Sequence, residues 1–152
     1  MAPVKAGMPA PDFQLPDSEG QMVSLSQFRG QWVVLYFYPK DDTPGCTAEA
    51  CAFRDSYDAF RAAGAVVIGV SGDDTPSHQR FKRKYNLPFI LLSDAGNQLR
   101  RTYGVPATLG LIPGRVTYVI DPEGIVRLVF DSQFNFRAHV DQALATIKGA
   151  TR

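Results

Sequence analysis

The chain has 152 residues, with sixteen Lys and Arg against fifteen Asp and Glu, so its formal charge is +1. That balance excludes the strongly basic surface of a protein built for nucleic acid or anionic membrane. A hydrophobic share of 45% with 20% charged residues excludes a disordered chain, and the length suits a single core-forming domain over 1–152.

The first twenty residues are rich in Pro and Gly and read as an irregular arm with a small hairpin. Phe13 and Leu15 alternate with polar residues, Pro16-Asp17-Ser18-Glu19-Gly20 turns the chain, and Met22-Val23 returns. Residues 32–38 form a continuous apolar run of β-branched and aromatic side chains, which predicts a central strand buried on both faces, with Trp32 and Phe37 in the core. Pro39 ends it. After Lys40-Asp41-Asp42, the pair Thr43-Pro44 fits an N-cap followed by the first helical position. Cys46, Ala50, Phe53, Tyr57 and Phe60 recur at helical spacing and predict one helix over 46–63. Glu49, Arg54, Asp58 and Arg61 fall to its surface, and Gly64 serves as its C-cap. Residues 65–71 predict a second buried strand, so strand, helix and strand make a βαβ unit with parallel strands. A helix over 75–85 follows, with Lys82-Arg83-Lys84 as a solvated charge run, then a short strand at 89–92 and a short helix at 97–103. Strands at 116–120 and 125–129 flank the turn Asp121-Pro122-Glu123-Gly124 as an antiparallel hairpin, and a helix at 137–148 closes the chain. The order βαβ then ββα is the thioredoxin-like arrangement. It is an α/β fold whose central mixed sheet is flanked by helices, here with an N-terminal extension and an insertion.

No apolar run approaches the roughly 18 residues of a membrane span. Residues 1–5 carry neither the apolar stretch of a signal peptide nor the Arg/Ser-rich character of a transit peptide. The expected compartment is a reducing cytosol, or a plastid if a targeting segment has been removed. In a reducing compartment the two cysteines, Cys46 and Cys51, suit catalysis, redox sensing or metal binding better than a permanent staple.

Cys46 falls in the first turn of its predicted helix, where free N–H groups and the helix dipole stabilise a thiolate. An unperturbed thiol with pKa ~8.5 is about 3% ionised at pH 7, so complete ionisation gains at most about thirtyfold. Any larger acceleration comes from groups that stabilise a transition state. Thr43 offers a hydroxyl three residues earlier, and Gly45 permits close backbone approach. Neither His78 nor His139 shares a motif with Cys46, so the carboxylate–histidine pair that serves a cysteine protease is not evident. Attack on a peroxide O–O bond needs no such base, only donors for the departing oxygen. Cys51 stands five residues on, which in an intact helix separates the Cα atoms by roughly 8–9 Å, beyond the ~7 Å reach of a disulfide. A Cys46–Cys51 bond therefore requires local unwinding. The plainer alternatives are a small buried hydrophobe at Cys46 and a structural thiol at Cys51. A zinc site lacks a second cluster of ligands. Gly69-Val70-Ser71-Gly72-Asp73 misses the last glycine of a nucleophile elbow, and there is no phosphate loop or dinucleotide fingerprint.

The segment 36–51 resembles the active-site segment of the peroxiredoxins, holding their Pro-x-x-x-Thr-x-x-Cys motif as Pro39, Thr43 and Cys46. Its second cysteine, Cys51, is similar to that of the peroxiredoxin Q, or bacterioferritin comigratory protein, branch. Residues 5–17, 91–94, 103–105 and 113–121 match further, and 113–121 with 130–142 look most like chloroplast and cyanobacterial members. The resemblance implies a thiol-dependent peroxidase for hydrogen peroxide and organic hydroperoxides. Cys46 would be the peroxidatic and Cys51 the resolving cysteine, joined in a redox disulfide. It also implies that Thr43 bonds the thiolate and peroxide, that Arg115 is the active-site arginine, that Pro39 shields the sulfur, and that the Gly45 and Cys46 amides bind peroxide. Without it, Arg115 reads as a solvated cation at a strand start and Pro39 as a strand terminator. Thioredoxin or a similar dithiol is the implied reductant, with a monomer, no metal or organic cofactor, and no nucleic-acid or membrane partner. Two other readings stay open: a non-enzymatic redox switch, and a disulfide exchanger that would lack the usual Cys-x-x-Cys.

Overall fold

In the computed structural model, which describes residues 3–108 and 112–150, the N-terminal arm leads into the expected hairpin. Strand β1 (Gln14–Pro16) pairs antiparallel with β2 (Met22–Ser24), Leu15 opposite Val23. Asp17 builds the turn by accepting the N–H groups of Glu19 and Gln21 on Oδ1. Next come β3 (Trp32–Phe37), α1 (Pro44–Asp55), α2 (Tyr57–Ala62), β4 (Ala65–Ser71), α3 (Thr75–Tyr85) and β5 (Ile90–Ser93). After α4 (Gln98–Tyr103), a short antiparallel pair, β6 (Ala107–Thr108) and β7 (Ile112–Pro113), precedes β8 (Val116–Ile120), β9 (Val126–Asp131) and α5 (Phe136–Ala150).

The central sheet has the order β5-β4-β3-β8-β9. Strands β3, β4 and β5 are parallel, and β8 runs antiparallel to both β3 and β9. This is the expected mixed sheet with its helices. Its middle strand explains the unbroken apolar run, because both faces are covered. Trp32, Val34 and Tyr36 point into a core shared with Phe53 of α1, Phe60 of α2, Phe81 of α3 and Ile147 of α5. Val33, Leu35 and Phe37 point into a second core with Val4 and Phe13 of the arm and Leu99 and Tyr103 of α4. No helix among the described residues is long and apolar enough to cross a membrane.

The single helix predicted over 46–63 is two helices. The Ser56 N–H is shared between the Ala52 and Phe53 carbonyls, both at 3.2 Å, and its backbone at φ −102°, ψ 6° ends the first helix. The apolar stripe survives the break, since Cys46, Ala50, Phe53 and Phe60 are all buried. Gly64 closes α2 at φ +78°, as expected. Strand boundaries move by a residue or two, and β6–β7 had no sequence signal. Helix α3 is capped by Asp74, whose Oδ1 accepts from the Ser77 N–H at 2.9 Å.

Two ties hold the loop after β3. Arg100 of α4 donates from Nη1 to the Gly114 carbonyl at 2.6 Å and from Nη2 to the Tyr38 carbonyl at 2.7 Å. Asp41 takes the Tyr38 hydroxyl on Oδ1, and on Oδ2 the Ser77 hydroxyl at 2.8 Å and His78 Nδ1 at 2.7 Å, which fastens the loop to α3.

Candidate active site

Thr43 takes the predicted N-cap position, with extended backbone at φ −91°, ψ 156°. Its side chain caps nothing. Oγ1 instead donates to the Lys40 carbonyl at 3.0 Å, which leaves the oxygen free to accept. One turn on, Cys46 is 2% exposed and its Sγ accepts a hydrogen bond from Arg115 Nη2 at 3.4 Å. A small core hydrophobe draws no guanidinium to its sulfur, so this contact argues against the plainer reading of Cys46.

Arg115 is not the solvated strand-start cation that it reads as without the family resemblance. It is 3% exposed and held on every side. Nη1 donates to Glu49 Oε1 at 2.7 Å and Nε to the Gln133 carbonyl at 3.0 Å, while Cζ lies 4.8 Å from the Phe136 ring centroid. The planar fork can meet these partners at once, which a lysine could not.

Glu49 corrects a second expectation. Instead of lying on the helix surface it is fully buried. Three residues past Cys46 it sits only about 60° around the helix from that residue, inside the apolar arc. Burial pushes its carboxyl up to about 7, against the pull of the Arg115 charge. Oε2 has no hydrogen-bond partner and lies 3.6 Å from His139 Nδ1. His139 is also fully buried. Burial, with the Arg115 charge, pushes the ring down to about 4, so it is neutral near pH 7. The Ser132 carbonyl, 2.7 Å from Nε2, can only accept, so Nε2 carries the hydrogen and Nδ1 accepts from the Thr117 hydroxyl at 2.7 Å. Glu49 and His139 are thus close but not hydrogen-bonded to each other, and the group that reaches the sulfur is Arg115.

Five of the six sequence-predicted residues, Pro39, Thr43, Gly45, Cys46 and Arg115, line one cleft of about 310 Å³. Gln133 and Phe134 from the β9–α5 connection and Phe136 at the start of α5 complete it. Gly45 has to be small there: a Cβ would sit 2.9 Å from Phe136 Cζ and 3.1 Å from Arg115 Nη2. Cys51 does not line the cleft. It is partly exposed on the same unbroken helix, and both thiols are free. Asp41, Asp73 and His78 bring three potential ligand atoms within 4.8 Å of one another, but hydrogen bonds already occupy them.

A cysteine buried under an arginine where a helix leaves the central strand of a thioredoxin-like sheet defines a thiol enzyme. Residues 6–129 match the AhpC/TSA family. Over 95% of its length the chain is 57% identical to the chloroplastic peroxiredoxin Q of Suaeda salsa, covering 68% of that protein. Among solved structures, the peroxidoxin BcpB from Mycobacterium tuberculosis is similar at a TM-score of 0.88 and 39% identity, over 96% of this chain and 97% of that one. The bacterioferritin comigratory protein of Xanthomonas campestris, described for its alkyl peroxide reduction activity, is similar at a TM-score of 0.87 and 34% identity, over 97% of this chain and all of that one. The chain belongs to the AhpC/TSA family, and its likeness to peroxiredoxin Q and bacterioferritin comigratory proteins bears out the resemblance carried by residues 36–51. It is a thiol-dependent peroxidase.

Sequence reasoning missed Glu49, His139, Gln133 and the two phenylalanines. For Glu49 a signal was present in its offset of three from Cys46. For the others there was none, since they lie more than eighty residues away.

Proposed function

We propose that Cys46 is the peroxidatic cysteine and Cys51 the resolving cysteine of a peroxidase reduced by thioredoxin or a similar dithiol. The observation that carries this reading is the hydrogen bond from a buried, immobilised Arg115 to Cys46 Sγ at the base of an open cleft. The thiolate attacks the terminal oxygen of a hydroperoxide. The S–O bond forms as the O–O bond breaks, and the electron pair goes to the departing oxygen, which takes a proton from solvent and leaves as water or an alcohol. Arg115 offers positive charge to the thiolate and to the oxygens, Thr43 and the Gly45 and Cys46 amides hold the peroxide, and Pro39 keeps water from the sulfur. The cleft volume of about 310 Å³ leaves room for an organic group as well as for hydrogen peroxide.

The Cys46 sulfenic acid then condenses with the Cys51 thiol, forming the S–S bond and releasing water. In the unbroken α1 the two Cα atoms are roughly 8–9 Å apart by helical geometry, so the turn between them opens for this step. Thiol–disulfide exchange with the dithiol restores both cysteines. Residues 1–152 act as one thioredoxin-like unit and as a monomer, without metal, organic cofactor, nucleic acid or membrane partner. The chloroplastic relatives support a plastid over a cytosolic setting.

The test is peroxide consumption with thioredoxin and its reductase. Wild type should turn over many times, Cys46→Ser not at all. Cys51→Ser should consume one equivalent and stop with oxidised Cys46. A single stoichiometric oxidation of wild type would mark a redox switch instead, and full cycling by Cys51→Ser would remove the resolving role.

A further inference from the structure

A hydroperoxide brings to its site one O–H hydrogen as well as lone pairs. The Cys46 cleft is well supplied with donors, from Arg115 and the start of α1. Acceptors for the substrate's own hydrogen are scarcer: Thr43 Oγ1, whose hydrogen goes to the Lys40 carbonyl, is one, and the side chain of Gln133 is a second. Gln133 lines the cleft, and its side-chain Oε1 is buried without a hydrogen-bond partner. Buried amide oxygens rarely go unpaired. Among the described residues, the other buried unpaired side-chain atoms belong to Tyr36, Glu49, Ser93 and Arg100, none of which lines this cleft. The position of Gln133 is fixed from behind, because its backbone carbonyl accepts from Arg115 Nε at 3.0 Å. The same arginine thus meets Cys46 Sγ and anchors the backbone of the residue that carries the unpaired, solvent-shielded acceptor.

We propose that Gln133 is a substrate-positioning residue whose Oε1 accepts the O–H hydrogen of the hydroperoxide. The inference rests on the peroxidase reading above. In R–O–O–H only the terminal oxygen bears hydrogen, so an acceptor at a fixed place selects that oxygen for Cys46 Sγ. The other oxygen and its organic group turn toward Phe134, an apolar side chain at the cleft that is 78% exposed. The hydrogen held by Gln133 stays on the attacked oxygen and becomes the sulfenic hydroxyl, so the carboxamide neither gains nor loses a proton. Hydrogen peroxide carries hydrogen on both oxygens, and for it the selection is redundant.

The experiment uses the near-isosteric Gln133→Met in a Cys51→Ser background, which leaves one reactive thiol. Sulfenic acid formation is followed by rapid mixing with tert-butyl hydroperoxide and with hydrogen peroxide, and Cys46 alkylation by iodoacetamide is measured alongside. The expected result is a loss of about tenfold with tert-butyl hydroperoxide, the scale of one hydrogen bond, a smaller loss with hydrogen peroxide, and unchanged alkylation. Gln133→Glu, which keeps an acceptor, should recover part of the tert-butyl hydroperoxide rate. Unchanged peroxide rates would overturn the proposal. So would a loss shared by alkylation, which would mean that Gln133 acts only by holding Arg115. If the Cys51→Ser parent itself met peroxides no faster than a free thiol, the peroxidase reading would fall, and this inference with it.

Discussion

Arg115 holds one positive charge between two claimants, Glu49 Oε1 at 2.7 Å and the Cys46 sulfur at 3.4 Å. Arg115→Ala removes the only guanidinium bonded to that sulfur among the described residues and strands Glu49 in the core. Its rate of reaction with peroxide should drop by about 10²–10³, as expected for loss of a charged transition-state donor, measurable by rapid mixing. Arg115→Lys should recover little, because one ammonium cannot serve Sγ, Glu49 and the Gln133 carbonyl together. Glu49 also gives a pH signature. Its carboxyl is pushed from an ordinary 4.5 up to about 7. Between those values the folded chain holds more protons than the unfolded chain, so this group's stabilising contribution is whole below about pH 4.5 and is lost as pH rises through 7. His139 has the opposite sign: pushed from 6.5 down to about 4, it favours the fold above 6.5 and loses that contribution as pH falls through 4. In wild type the two slopes oppose one another between about 4.5 and 6.5. Glu49→Gln deletes one of them. Its urea midpoint should climb from pH 4.5 to 6.5 more steeply than that of wild type, and should gain on wild type from pH 5 to 8. Parallel profiles would contradict the raised carboxyl.

At the scale of elements, α1 carries both cysteines, and the proposed disulfide requires it to give way between them. Oxidation of the wild type should therefore strip hydrogen-exchange protection from the amides of 46–51 while β3 and β4 keep theirs. Equal protection in both redox states would rule out the unwinding step. Gly45→Ala probes the same helix from its start. Alanine favours a helix over glycine by about 1 kcal/mol, yet the added methyl presses on Phe136 and on Arg115 Nη2. The melting temperature should hold while the peroxide rate falls several-fold. Legibility follows the same division. Thr43, Gly45 and Cys46 lie within four residues, so a local pattern exposes them, whereas Pro39 by itself reads as a strand terminator; the parallel βαβ unit follows from two apolar runs and one stripe. Arg115 enters from the residue just before β8 and, like the shielding role of Pro39, was found only through the family resemblance. Glu49 looked like surface because charge usually means solvent. Its offset of three from Cys46 puts it inside the apolar arc, but the cation that accompanies it there is 66 residues away, which no helical periodicity encodes. The stop at Ser56 is equally silent, since serine tolerates a helix interior and the apolar spacing runs straight across it.

For the molecule as a whole, the two-sided burial of β3 fixes where the chemistry stands, and the loop that follows is secured by polar groups. Asp41 is the hub of one tie, meeting Tyr38, Ser77 and His78. Asp41→Ala leaves those groups buried without their partner and should cost about 2–4 kcal/mol of unfolding free energy, read from urea denaturation, with the peroxide rate falling as Pro39 and Thr43 lose their anchor. The second tie reaches further. Strands β3 and β8 stay paired up to Phe37 and Val116, and the two carbonyls gripped by Arg100 belong to Tyr38 and Gly114, which stand just before Pro39 and Arg115. One flat side chain from α4 therefore works as a gauge block, setting the jaw width between the wall that carries Pro39 and the wall that brings Arg115 to the Cys46 sulfur. A change that shifts α4 against the sheet should therefore alter the peroxide rate of Cys46 without touching the cleft itself.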